Sequence, residues 1–246
     1  MVCMDPSGFK LLYEDGPCLV VGKPGGVLTQ APPGIDSLEV RVKDFLCQRA
    51  NQPGNVYLGV PHRIDRPASG ALLLAKNSRA ARRLGEQFQA RRIAKHYMAL
   101  TENVISEEEG TWSDWVRKIP DVARAELCAE SDAGSRHALL HFRVLARLDT
   151  VTLTEITLET GRTHQIRLQA SSRGFPLLGD TLYGAQTMFG PVSEDPRGRW
   201  IALHARRLQF AHPMTRQSVT VVAPLPACWK EHCQFSRWLV QEGDGI

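Results

Sequence analysis

The sequence predicts an α+β fold, with a mixed, largely antiparallel sheet flanked by helices. Three observations predict it. Short apolar or alternating runs, the mark of strands, predominate along the chain. Helical stretches come at irregular intervals, whereas a doubly wound fold would place one between each pair of strands. Of 246 residues, 43% are hydrophobic and 23% charged. That is too apolar for a disordered chain, and the length suffices to bury a core without disulfide or metal staples. No repeat, low-complexity tract or Pro/Ser linker divides the chain, so one domain is expected.

The elements follow in order. Cys18–Gly22 (CLVVG) is a short apolar run stopped by Lys-Pro-Gly-Gly, hence a strand leading into a loop. Ser37–Ala50 reads as a helix whose apolar residues are Val40, Val42, Phe45 and Leu46. Ala71–Ala75 (ALLLA) is brief and wholly apolar, a buried strand. From Ser78, the spacing of Ala81, Leu84 and Phe88 gives a helix that Ser78 itself can cap. Lys95–Leu100 alternates and forms another strand, and two long β segments follow, Ala138–Leu148 and Val151–Glu159. In the second, the apolar phase passes from Val151 and Leu153 to Ile156 and Leu158, which predicts a bulge near Glu155. Thr163–Ser172 reads as a short helix capped by Thr163, and Ile201–Phe210 and Ser218–Ala223 as strands. Ala227–Val240, with Trp229, Phe235, Trp238 and Leu239, reads as a closing amphipathic helix.

Net charge is only +4, from 30 Lys and Arg against 26 Asp and Glu, but it is unevenly spread. Between Lys76 and Lys95 stand seven basic residues (Lys76, Arg79, Arg82, Arg83, Arg91, Arg92, Lys95) and one acid, Glu86. On a helix from Ser78 these arginines share the solvent face. Such a face serves solubility or, equally, contacts phosphates and releases counterions on binding a nucleic acid. The six cysteines (Cys3, Cys18, Cys47, Cys128, Cys228, Cys233) lack the spacing of a zinc site or disulfide framework. His137 and His141 stand four apart, but in a strand that spacing puts them on one face without converging, so no metal site is expected. The charge-free stretches fall short of the ~18 apolar residues of a membrane span. Met1–Lys10 has neither the basic end nor the apolar core of a signal peptide. A cytoplasmic chain with no membrane partner is expected.

Three polar, turn-rich segments lie beside the expected strands, where loops carry reactive groups. Gly59–Gly70 (GVPHRIDRPASG) sets one acid, Asp65, between Arg63 and Arg66, and an acid beside two bases stays ionised. On its own this segment reads equally as a surface turn. Leu158–Gly184 (LETGRTHQIRLQASSRGFPLLGDTLYG) starts the helix that carries Arg167, whose first amides suit an anion. It then turns at Gly174 and at Gly179-Asp180 to bring Tyr183 back. Leu203–Thr215 (LHARRLQFAHPMT) is a strand ending in a turn with His212 and Pro213.

In this order the three segments resemble the RluA family of RNA pseudouridine synthases. The family loop H-R-L-D-x-x-T-S-G is matched by His62-Arg63-Ile64-Asp65-Arg66-Pro67-Ala68-Ser69-Gly70. G-R-T-H-Q-I/L-R is matched at Gly161–Arg167, G-x-P-I/L-x-G-D-x-x-Y-G at Gly174–Gly184, and L-H-A-x-x-L-x-F-x-H-P at Leu203–Pro213. The opening YEDGPCLVVGKPGGV looks like the family's first strand and K-P-x-G loop. Two positions depart from the pattern: Ile64 replaces Leu, and Ala68 replaces Thr, which removes one hydroxyl from the loop.

The resemblance implies a catalytic domain over residues 10–225, with 226–246 a helix packed on it and no separate N-terminal RNA-binding domain. It also implies an active-site cleft across the sheet. Such enzymes break the N-glycosidic bond of a uridine in RNA, turn the base and rejoin it through carbon 5. Asp65 matches the carboxylate that acts as nucleophile at C1′ or as base toward C2′. Arg167 matches the family arginine that pairs with that carboxylate and keeps it charged. Tyr97, in Lys95-His96-Tyr97-Met98-Ala99, matches the tyrosine that stacks on the flipped-out uracil. His62 and Arg63 go with the substrate, Arg63 entering the stack or holding the displaced base. Arg79, Arg82, Arg83, Arg91 and Arg92 become the track for the RNA backbone. No metal or organic cofactor is implied, and the partner is an rRNA or tRNA stem-loop bound by a monomer. Two other readings stand beside this one: an RNA-binding paralogue without catalysis, and a glycosidase- or nucleosidase-like hydrolase using Asp65. A hydrolase of the usual kind wants a second carboxylate ~5–9.5 Å away, which neither the Asp65 loop nor GRTHQIR supplies.

Overall fold

The computed structural model describes residues 8–51 and 56–230. Their contacts gather into two compact units, residues 1–95, 194–198 and 205–224 in the first, and 96–193, 199–204 and 225–246 in the second.

The first unit begins with a hairpin of β1 (Lys10–Asp15) and β2 (Cys18–Lys23), paired antiparallel. β2 pairs antiparallel with β3 (Ser69–Ala75), every residue of which is buried, as its unbroken apolar run requires. At the head of β3, Gly70 has φ +122, and a Cβ there would run into the backbone of Ala205, so only glycine fits. The strand order continues to β9 (Leu203–Ala211), which enters this unit at Ala205 and carries β10 (Ser218–Val222) antiparallel on its side. Helix α1 (Leu38–Ala50) starts at Ser37, whose side chain accepts from the Val40 amide, and buries Leu38, Val42 and Leu46. Helix α2 (Ser78–Gln89) puts Ala80 and Leu84 into one core with Val20, Leu73, Leu208 and Phe210, and Phe88 packs at its edge. Its cap is Asn77 and not Ser78: the Asn77 side chain accepts from the Ala80 amide at 2.8 Å. Asparagine and serine cap about equally by type, and with Asn77 as cap the helix starts with Ser78 already inside.

In the second unit the strand order is β4-β8-β7-β5-β6, with antiparallel partners throughout. These are β4 (Ala94–Glu102), β5 (Glu109–Lys118), β6 (Ala125–Leu127), β7 (Arg136–Leu148) and β8 (Val151–Leu158). The expected bulge lies on the other strand. β8 is regular, and the register slips on β7 between Val144 and Ala146, opposite Thr154 and Leu153. Thr152, Leu153 and Thr154 are all buried, so the phase change in β8 marks a stretch covered on both faces and not an extra residue. Helix α3 (Gln165–Ser171) is almost wholly buried. Helix α4 spans Ala227–Lys230, and the rest of the expected closing helix, 231–240, lies outside the described residues. Its Trp229 packs edge-on against Phe189 in a core with Met98, Leu100, Leu153 and Leu178. The α+β class and the largely antiparallel pairing agree with the sequence. Among the described residues no helix is long and apolar enough to cross a membrane.

Candidate active site

The segment HRID doubles back along β3. Gly59 and Ala75 exchange both backbone hydrogen bonds, at 2.7 and 2.9 Å, which pins the start of the loop to the end of the strand. His62 Nε2 then accepts from the Leu73 amide at 2.9 Å, and its ring stacks on Phe88 at 4.4 Å. Burial, with Lys95 adding to it, pulls the His62 pKa down to about 3, so the ring is neutral and Nε2 keeps the lone pair that Leu73 needs. The imidazole is thus a brace of the loop. Ala68 N–H closes a turn onto the Asp65 carbonyl at 3.1 Å. Ala68 is fully buried, and the loop is held by other groups than the hydroxyl this position lacks.

Two of those groups come from the end of β2 and the segment after it. Lys23 is 2% exposed, and its Nζ donates to the carbonyls of Pro24 (2.8 Å), Val27 (2.7 Å) and Arg66 (3.0 Å). Burial lowers its pKa to about 7, while the Asp65 charge pulls it back up. Thr29 Oγ1 donates to the Ile64 carbonyl at 2.8 Å and accepts from the Ile64 amide at 3.2 Å. Arg66 in turn donates from Nε to the Gly26 carbonyl at 3.0 Å. Asp65 is therefore flanked on both sides by residues fixed to residues 23–29. Asp65 itself is partly exposed, and Arg63 is exposed. Lys23 and Thr29 are missing from the sequence reading. The available signal was a lysine closing an otherwise apolar strand at a buried position.

The second unit holds the other set. Arg167, on α3, is 4% exposed and binds Asp180 in a fork: Nε to Oδ2 at 2.6 Å, Nη2 to Oδ1 at 2.8 Å. Its guanidinium carbon lies 5.0 Å from the centre of the Tyr183 ring. The Tyr183 hydroxyl accepts from the Ala125 amide at 2.9 Å and lies 3.0 Å from His164 Nδ1. Asp180, 1% exposed, thus belongs to this set, and its turn depends on Gly179 at φ +82, where a Cβ would meet the Trp200 carbonyl. Thr163 does not cap α3. The cap position is His164, in the left-handed region at φ 52, and its side chain makes no capping bond to the helix. Gln165 does the work instead: its Oε1 accepts from the Arg162 amide and the Thr160 hydroxyl, and its Nε2 donates to the Leu139 carbonyl. That bracing lets the GRTHQ turn enter the helix buried. Tyr97 sits on β4 opposite Ile156 of β8, 9% exposed.

The basic stretch divides. Arg79, Arg82, Arg91 and Arg92 are exposed, the last two beyond the end of α2, with Arg91 at φ 54. Arg83 leaves the solvent face: its Nη1 donates to the Pro213 carbonyl at 2.7 Å and ties α2 to the turn before β10. His137 and His141 lie on β7, bonded to Ser113 and Thr111 of β5. Among the described residues no three His, Cys, Asp or Glu side chains group as metal ligands.

Comparison with known proteins decides the family. Residues 17–172 match the model of the RNA pseudouridylate synthases. The chain belongs to the RNA pseudouridylate synthase family. An uncharacterized RNA pseudouridine synthase of Bacillus subtilis is 35% identical over 231 residues, covering 92% of this chain and 72% of the relative. Ribosomal large subunit pseudouridine synthase D of Pseudomonas aeruginosa is 36% identical over 232 residues, covering 88% and 68%. Among solved structures, human RNA pseudouridylate synthase domain containing 4 superposes with a TM-score of 0.74 at 21% identity, over 93% of both chains, a likeness of fold. Human RNA pseudouridylate synthase domain containing 1 gives 0.67 at 28% identity, over 91% and 87%. The RluA-type resemblance read from HRID and GRTHQIR is borne out, and the chain is an RNA pseudouridine synthase, an isomerase that modifies RNA.

Proposed function

We propose that this pseudouridine synthase acts on a uridine of large-subunit ribosomal RNA, in the cytoplasm, as a monomer, with Asp65 as its reacting carboxylate. Asp65 takes up C1′ as a nucleophile or removes a proton at C2′. The N1–C1′ bond breaks with its electron pair on N1, and the uracil turns. C5 then bonds to C1′ as the Asp65–C1′ bond breaks (nucleophilic route) or as Asp65 returns the C2′ proton (base route), while the C5 proton is lost and N1 takes one up. Tyr97 stacks on the extruded base, returning about 1–3 kcal/mol of the few that flipping costs. Arg167 supplies the fixed positive charge that favours the ionised carboxylate. Arg63 holds the place of the displaced base, His62 keeps the loop in register beneath it, and Arg79, Arg82, Arg91 and Arg92 follow the RNA backbone.

One observation carries the reading. Asp65 is a partly exposed acid whose two neighbours in the chain are both locked, Ile64 by Thr29 and Arg66 by Lys23. A reacting group needs a main chain fixed in that way. The choice of ribosomal RNA is supported by the relatives named for the large subunit. The test maps pseudouridines chemically in total RNA from cells with the protein, without it, and with Asp65→Asn. One modified position vanishes both without the protein and with the variant, while the variant still binds RNA. Modification by Asp65→Asn at the wild-type rate refutes the assignment, and release of free uracil by the wild type favours a hydrolase.

A further inference from the structure

We infer that Thr29 is a positioning residue for Asp65, acting through the main chain of Ile64; this rests on the assignment of Asp65 proposed above. The Thr29 hydroxyl does for Ile64 what a neighbouring strand would do, receiving its amide at 3.2 Å and donating to its carbonyl at 2.8 Å. Both peptide groups next to Ile64 are thereby fixed, and one of them is the peptide that joins it to Asp65. Thr29 is 5% exposed and Ile64 also 5%, so water does not replace either bond readily. Thr29 is itself anchored. Its carbonyl accepts from the Glu39 amide at 3.1 Å, and the Leu28 carbonyl accepts from the Leu38 amide at 2.8 Å. Those two amides belong to the first turn of α1, where no carbonyl within the helix is available to them. The α1 helix is set into the unit by the buried Leu38, Val42 and Leu46. A continuous path therefore runs from a packed helix, through the Thr29 main chain and hydroxyl, to the residue before the acid.

The side-chain type suits the task. Meeting a donor and an acceptor at once demands one hydroxyl orientation, and a β-branched side chain holds its χ1 more firmly than serine does. Thr29→Val keeps the shape and removes both bonds. Displacement of a reacting group by about 1 Å costs on the order of 100-fold in rate, so a smaller shift at Asp65 gives a loss of about 10- to 100-fold.

The experiment compares the wild type, Thr29→Val and Thr29→Ser on unmodified large-subunit ribosomal RNA transcribed in vitro, with Asp65→Asn as the inactive reference. Thr29→Val lowers the single-turnover rate about 10- to 100-fold while its RNA Kd stays within about 2-fold, and Thr29→Ser recovers most of the rate. Exchange of the Ile64 amide with deuterated water reads the clamp without turnover: it accelerates in Thr29→Val and stays slow in Thr29→Ser. An unchanged rate or unchanged Ile64 exchange in Thr29→Val overturns the inference, as does a Thr29→Ser variant as slow as Thr29→Val. Should Thr29→Val fail to fold, Thr29→Ala takes its place, and failure of both makes the hydroxyl a stability element and overturns the positioning role. Turnover by Asp65→Asn equal to the wild type sinks the functional reading by a different result, and Ile64 exchange still judges the clamp.

Discussion

Replacing Asp180 by Asn tests whether Arg167 is held in the way its surroundings indicate. In the wild type the guanidinium donates twice to one carboxylate, at 2.6 and 2.8 Å, with Arg167 4% and Asp180 1% exposed. Asparagine has the same shape but a single acceptor, and it turns an NH2 toward a guanidinium that can only donate. Arginine does not give up its proton, so the buried cation loses the Asp180 carboxylate and cannot neutralise itself in compensation. Removal of one member of a buried ion pair costs about 3–5 kcal/mol. The Tyr183 ring 5.0 Å away keeps its attraction for the cation, worth about 0.5–2 kcal/mol, but this is present in the wild type too and does not offset the loss. At about 2–4 °C per kcal/mol for a chain of this size, the melting point falls by roughly 6–20 °C. Equilibrium urea unfolding of the wild type, Asp180→Asn, Arg167→Met and the double variant measures the coupling directly. The double variant is expected to lie at least ~2 kcal/mol above the sum of the singles. A loss below about 1 kcal/mol in Asp180→Asn, or additive singles, would show that Asp180 is not what holds Arg167.

Two further outcomes follow from the geometry. His62, with its pKa pulled to about 3 against an ordinary 6.5, binds fewer protons folded than unfolded between those values, so stability is full above pH 6.5 and lost as pH falls toward 3. Between pH 6.5 and 4.5 the loss reaches up to about 2–3 kcal/mol, above the range in which Glu14, lowered to about 2, begins to contribute. Urea midpoints across that interval flatten in His62→Gln, which keeps an acceptor for the Leu73 amide; equal slopes would mean that His62 is protonated in the folded state. On the RNA side, Arg79→Glu, Arg82→Glu and Arg92→Glu together weaken binding and lower the slope of log K against log salt by about 0.7–0.9 for each phosphate no longer neutralised. Arg83→Ala, whose guanidinium is bound to the Pro213 carbonyl, instead lowers the melting point and leaves the salt slope in place. An unchanged slope in the triple variant would assign the exposed arginines to solubility.

How far the sequence could be read depended on where the information lay. ALLLA and CLVVG carry an apolar excess that only a covered strand explains, and both form strands over those residues. β5 (EGTWSDWVRK) was invisible, because half of it faces solvent and only Trp112, Trp115 and Val116 are large and apolar. β6, of three residues, is too short for any periodicity. In the site, Asp65 and Arg167 stood out because their motifs are local. The residues that hold them are not local: Thr29 lies 35 positions from Ile64, Lys23 lies 43 from Arg66, and Asp180 lies 13 from Arg167. A single chain read along its length shows which groups are chemically unusual, but not which distant hydroxyl or ammonium closes on them. The capping errors have the same origin, since Ser78 and Thr163 are acceptable caps by type, and the choice of Asn77 and of the Gln165 brace was made by tertiary packing.

The contacts around the two residues proposed for the chemistry differ between the units, in a way that suits their proposed roles. A guanidinium that serves as a standing charge never forms or breaks a covalent bond, so it can be gripped by its own side chain, as Asp180 and the Tyr183 ring grip Arg167. The role proposed for Asp65, bonding to carbon or carrying off a proton, suits a carboxylate placed through its neighbours. Lys23 and Thr29 fix the main chain at Arg66 and Ile64 without spending either oxygen of Asp65 on the task. This also accounts for Ala68 where a threonine is usual. A hydroxyl there would be one more bond to the loop, yet three elements already hold it: β3 at His62, and residues 23 and 29 at Arg66 and Ile64. With Ala68 fully buried and its amide closing onto the Asp65 carbonyl, a methyl group fills the position, and the geometry of the acid is set from the other side.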